Sequence, residues 1–178
     1  MATYEVSRAF GELFRADMAA ILGLEIYQPG TFLDDVRRGI DGMFQPLYLA
    51  ERIRNITRYP SYKYQFTLRY RRDNGVKTEY AKLRDGSMHA EVYFYGWGDE
   101  HSRQIKAYIL LDIPGLQTWI HAHGRQAGTI FDNEDGTYGI AFDLRHIPGQ
   151  IIRAWKKLPD PRQLDLFTHH YTHAVIVK

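Results

Sequence analysis

Apolar positions recur at helical spacing over residues 4 to 22, where Phe10, Leu13, Phe14, Met18 and Ile21 alternate with Arg8, Glu12, Arg15 and Asp17. That period predicts one amphipathic helix, with Gly23 as its stop. Gln28-Pro29-Gly30 predicts a turn, and the charged stretch from Asp34 to Gly39 a loop or a single helical turn. From residue 40 the period shortens to two. Ile40–Phe44 and Leu47–Ile53 read as short strands around Gln45-Pro46. Tyr62–Arg71 is the clearest strand, with Tyr62, Tyr64, Phe66, Leu68 and Tyr70 alternating with Lys63, Gln65, Thr67, Arg69 and Arg71. Asn74-Gly75 is a strong hairpin signal and predicts Val76–Leu83 as the return strand. Glu91–Trp97 and Ala107–Ile113 are two more strands, joined by the polar loop GDEHSRQ. Thr129–Phe131 and Tyr138–Leu144 form a hairpin around Asn133-Glu134-Asp135-Gly136. Gly149–Leu158 reads as a short helix, and Ala174–Val177 as a last strand.

One helix, then mostly strands, then a short helix predicts an α+β fold. A mixed or antiparallel central sheet would carry the N-terminal amphipathic helix on one face. At 178 residues, with 44% hydrophobic and 25% charged positions, the chain is expected to form one globular domain over residues 1–178. The absence of cysteine excludes disulfides, thiolate metal sites and Cys nucleophiles. No apolar run is long enough to span a bilayer, so no membrane partner is expected. The start MATYEVSRAFGELF lacks the pattern of a secretory signal, so the expected location is cytoplasmic.

Charge changes this picture at one place. Residues 52 to 72 hold seven Lys or Arg and no carboxylate, in a chain whose net charge is only +2. Tyr59, Tyr62, Tyr64, Phe66 and Tyr70 lie among them. Cations interleaved with aromatic rings suit a surface that holds phosphates and stacks on bases, so DNA or RNA is the expected partner. On the strand's polar face, Lys63, Arg69 and Arg71 would project together and, with Arg54, hold a nucleic-acid backbone. The alternative is a solvated face whose charges protect a sheet edge from aggregation.

Ahead of the basic run stand Asp34, Asp35, Asp41 and Glu51, in the stretch DDVRRGIDGMFQPLYLAERIR. An Asp opening one strand and a Glu ten residues on can meet side by side in a hairpin. Two carboxylates so placed can hold Mg²⁺, which stabilises charge developing on a phosphodiester. The alternative reads Asp41 as a turn residue beside Gly42, and Glu51 as a solvated strand residue.

A helix carrying Glu12, a strand-borne Asp, a following strand with an acidic residue and basic residues beyond it resemble the PD-(D/E)XK nuclease-like superfamily over roughly residues 4 to 113. The block DDVRRGID…LAERIR…YQFTLRYRRDNGVKTEYAKL also resembles small uncharacterised phage-borne proteins, a likeness that carries no activity with it. The first resemblance implies a restriction-endonuclease-like fold and Mg²⁺-dependent hydrolysis of phosphodiesters. Asp41 and Glu51 would be metal ligands, Asp35 a third carboxylate, and Arg52 or Lys82 would steady the phosphate. The superfamily places a Lys two residues after the Glu, where this chain has Ile53. Arg52 and Arg54 flank that position, but strand alternation turns them to the face opposite Glu51, and an Arg stays protonated and cannot act as a base. The second resemblance implies a non-catalytic interaction or counter-defence protein that binds nucleic acid or a host protein in the host cytoplasm.

Histidines supply a third chemistry. His121 and His123 would share one face of an extended segment, and His170 and His173, beside His169, one face of a helix. Such imidazoles can bind zinc or act as an acid–base pair in metal-independent ribonuclease chemistry. No GxSxG elbow, GxxxxGK[ST] loop or GxGxxG fingerprint is present. A self-complementary strand edge would allow a homodimer.

Overall fold

A computed structural model describes residues 2–22, 27–44 and 47–158. The elements are α1 (Ala2–Glu12), α2 (Arg15–Ile21), β1 (Tyr27–Pro29), α3 (Phe32–Arg38), β2 (Gly42–Phe44), β3 (Leu47–Asn55), α4 (Tyr59–Tyr62), β4 (Gln65–Arg72), α5 (Glu79–Arg84), β5 (Val92–Asp99), β6 (Gln104–Asp112), α6 (Ile113–His123), β7 (Gly128–Asp132), β8 (Thr137–Asp143) and β9 (Ile152–Lys156). They make a mixed α+β fold. Six strands form one sheet in the order β1-β2-β3-β5-β6-β9, and three form a second in the order β4-β8-β7. β3 and β5 run parallel and the other neighbours antiparallel.

β5 is central and buried on both faces. Val92 and Phe94 join Leu49, Ile105, Phe14 and Met18 in one core. Tyr93, Tyr95 and Trp97 point the other way, into a larger core with Phe66, Leu68, Ile140, Phe142, Leu116 and Ile120. A strand covered on both sides reads as continuous apolar sequence, as VYFYGW does. Gly96-Trp97-Gly98 therefore lies within the sheet. Among the described residues, no helix is long and apolar enough to cross a membrane.

Several expected elements differ. The helix of residues 4 to 22 is two helices, broken at Leu13 and Phe14, and the Phe14 ring lies against Gly98 in β5. Residues 32–38 are a helix because Thr31 and Asp34 cap it reciprocally: the Asp34 N–H donates to Thr31 Oγ1 (3.2 Å), and the Thr31 N–H to Asp34 Oδ2 (3.3 Å). The strand expected from Tyr62 begins at Gln65, because α4 occupies residues 59–62 with Pro60 in its first turn. A bulge between Arg69 and Arg71 then breaks the period of two.

The Asn74-Gly75 turn forms, with Gly75 at φ +72° and the Val76 N–H donating to Asn74 Oδ1 (3.1 Å). It does not lead to a return strand. Thr78 caps α5 by accepting the Ala81 N–H, its hydroxyl holds the Tyr70 carbonyl (2.9 Å), and β4 pairs instead with β8. Residues 149–151 are a 3-10 turn and residues 152–156 a strand on β6, where a helix was expected. Helix α6 was not expected; Asp112 caps it and Pro114 sits in its first turn. The hairpin around residues 133–136 joins β7 to β8 as expected. Ala174–Val177 lies outside the described residues.

Candidate anion-binding cleft

The open edge of β3 is the base of the site. Among the described residues, β2 accompanies β3 only from Leu47 to Leu49 and no other strand borders this edge. Past Leu49 the strand borders a cleft of about 220 Å³. Arg8, Gly11 and Arg15 line it from the N-terminal helices, and Arg69, Arg72, Glu79 and Lys82 from β4 and α5. Glu51, Arg52, Ile53, Arg54 and Tyr93 complete the lining from the main sheet, with Asp41 beside them.

Local structure fixes Asp41 at that edge. Gly39 ends α3 at φ +67°, a left-handed conformation that suits glycine, and turns the chain so that Ile40 is buried. Gly30 lies so close to this turn that a Cβ there would stand 2.5 Å from the Ile40 carbonyl oxygen. The Asp41 N–H donates to the Leu49 carbonyl (3.1 Å), and the Asp41 carbonyl accepts the Gly30 N–H (3.0 Å). Where β2 has turned away, the Asp41 carboxylate accepts the Glu51 N–H (2.8 Å). A side chain thus replaces the missing strand partner.

Alternation sends successive β3 side chains to opposite faces. Glu51 faces the N-terminal helices, where its carboxylate lies 3.8 Å from the Arg15 guanidinium. Arg52 and Arg54 face β4 and α5. There Arg52 pairs with Glu79 (2.7 Å), whose carboxylate also accepts the Arg69 N–H (2.7 Å) and the Tyr93 hydroxyl (3.3 Å). Burial alone would push the Glu79 carboxyl up, but Arg52, then Arg69, hold it at about 2. The same buried carboxylate, after burial itself, raises the Tyr93 phenol well above its usual value. Arg54 donates to the Thr67 hydroxyl, which also bonds the Tyr95 hydroxyl (2.8 Å). Burial, then the neighbouring Arg52, lowers the Arg54 pKa.

The cleft brings together Asp41, Glu51, Arg52, Arg54, Arg69 and Lys82 from the sequence-predicted set. Two of the set lie elsewhere. Lys63 is in the turn before β4, against the Tyr64 ring at 5.2 Å. Arg71 follows the bulge and lies exposed over the Tyr138 ring at 4.2 Å. The expected stripe of Lys63, Arg69 and Arg71 is therefore dispersed. Asp35 is placed in α3 by its main chain. His121 and His123 are exposed in the last turn of α6, where a spacing of two does not give a shared face. His169, His170 and His173 lie outside the described residues.

Glu79, Arg72, Arg15 and Tyr93 are cleft residues that sequence reasoning missed. Thr78 followed by Glu79 is a helix-start signal that could have placed Glu79. Among the described residues, no three His, Cys, Asp or Glu gather as a metal-binding group. Asp41 and Glu51 supply the oxygen donors that Mg²⁺ prefers, and one or two carboxylates with water and phosphate form a usual protein share of its shell. The chain matches no protein-family model, no curated protein and no solved structure.

Proposed function

We propose that this protein binds nucleic acid through the cleft beside β3, with arginines holding phosphate oxygens. One observation carries the reading. Among the described residues, the cleft is lined by eight Lys or Arg against three carboxylates, in a chain whose net charge is only +2. Such an excess, set between low-dielectric walls, focuses a positive field on whatever enters. Arg is suited to the role because its planar fork meets two phosphate oxygens at once. Fluorescence anisotropy with labelled single- and double-stranded DNA and RNA at low salt tests this. Binding weakened about tenfold by Arg69→Gln is the expected result, and no binding to any of the four overturns it.

Metal-dependent phosphodiester cleavage at the same cleft, on a nuclease-like scaffold, is the second reading. It is favoured by the bond that ties the Asp41 carboxylate to the Glu51 main chain. Mg²⁺ held by these two carboxylates would supply charge stabilisation at a phosphodiester. Lys82, buried in α5 and next to Gly39, would steady the phosphate in place of the Lys that Ile53 displaces. Arg52, oriented by Glu79, would hold a second oxygen. Asp41→Asn keeps an acceptor for the Glu51 N–H while removing a charged ligand. Cutting that needs Mg²⁺ or Mn²⁺, stops in EDTA and is lost in this variant is the expected outcome. Binding without cutting leaves a non-catalytic interaction protein.

A further inference from the structure

Among the described residues no carboxylate hydrogen-bonds or pairs with Arg54, although the Glu79 charge acts on it from within the same cleft. Its guanidinium bonds the Thr67 hydroxyl and the Tyr95 phenol, both neutral, and its Nε has no hydrogen-bond partner among the described residues. Glu79, in the same cleft, is committed to Arg52, the Arg69 N–H and the Tyr93 hydroxyl. Placing a cation away from water is costly unless an anion compensates it. The main chain of Arg54 is fixed in the parallel β3–β5 ladder opposite Trp97, and the Thr67 bond orients its side chain. Arg54 lines a cleft with excess positive charge, beside Arg52 and without an ion pair of its own among the described residues, so an anion in the cleft would meet a charge left without a direct partner.

Size and charge narrow that anion. The cleft's 220 Å³ is the space of about seven waters, room for a phosphate and its sugar rather than for a helix. A phosphate monoester carries close to two negative charges near neutral pH, against one for a diester linkage. We infer that the cleft takes the terminal phosphate of a single nucleic-acid strand, inserted end-on, with Arg54 as the residue that selects phosphorylated ends. This rests on the proposed binding of nucleic acid at the same cleft.

The test uses the full chain in EDTA and internally labelled oligonucleotides ending in 5′-phosphate, 3′-phosphate or hydroxyl only. One phosphorylated end should bind about tenfold more tightly than hydroxyl, and Arg54→Lys, which keeps charge but loses the fork, should remove most of that preference. Circular dichroism confirms that the variant is folded. As a second measurement, a nucleoside monophosphate should raise the melting temperature of the unaltered protein. Equal binding of all three ends overturns the inference and leaves nucleic-acid binding standing. Monophosphate stabilisation without oligonucleotide binding overturns both the proposed function and the inference, and leaves a site for free phosphate monoesters. No response to either ligand overturns both.

Discussion

Glu79 organises one wall of the cleft, and its carboxyl sits near 2 where about 4.5 is ordinary. A carboxyl depressed in the folded state contributes stability that is fully present above the unfolded pKa. That contribution is lost as pH falls from about 4.5 towards 2. Every tenfold weakening of proton affinity on folding is equivalent to about 1.4 kcal/mol, so Glu79 should contribute roughly 3 kcal/mol at neutral pH. Glu79→Gln should lower the unfolding free energy at pH 7 by that order, read from urea titrations, and flatten the acid limb of the stability profile. An unchanged limb would show that the Arg52 pair does not set acid stability. Asp41, Glu51 and Arg52 were legible in the sequence because strand residues near a turn keep their order when the strand forms. Glu79 was not, because Asn74-Gly75 looked like a hairpin and assigned it to a strand. Its partners Arg52 and Tyr93 are far from it in sequence, and no local pattern joins them.

At the scale of elements, alternation revealed the strands and local capping decided what it missed. β5, β6, β7 and β8 lie close to where period-two patterning placed them. α6 was hidden because Pro114 and Gly115 resemble breakers, yet Pro is tolerated in a first turn and the Asp112 carboxylate accepts the Gly115 N–H (2.9 Å). Asp112 also pairs with Arg153 of β9, so one side chain ties a helix start to a sheet edge. Asp112→Ala should cost about 1–2 kcal/mol, read as a drop in urea midpoint. Asp112→Asn should cost less, because it keeps the cap and loses only the charge. Equal losses would show that the Arg153 pair, not the cap, carries the contribution. On β4 the bulge between Arg69 and Arg71 limits pattern reading, since one extra residue redirects every later side chain.

Over the whole molecule, charge is nearly balanced while the cleft is strongly cationic. Binding should therefore depend steeply on salt although the net charge is small. If one terminal phosphate in the cleft and about three further phosphates of a single strand outside it are neutralised, log K against log salt should fall with a slope near −3. A slope near zero in anisotropy titrations would show that the cations do not hold phosphates. The α+β class was readable from the order of elements. The division into two sheets was not, because it depends on β4 leaving its sequence neighbours to pair with β8. That departure has a kinetic consequence. β4 and α5, which form one wall of the cleft, both lie within residues 56–91, the crossover that any parallel β3–β5 pair requires. Closing that long loop is entropically costly and brings no β3–β5 contact until it is complete. The β3–β5 pairing and the closing of this cleft wall should therefore be coupled, and should follow the more local β5–β6 hairpin.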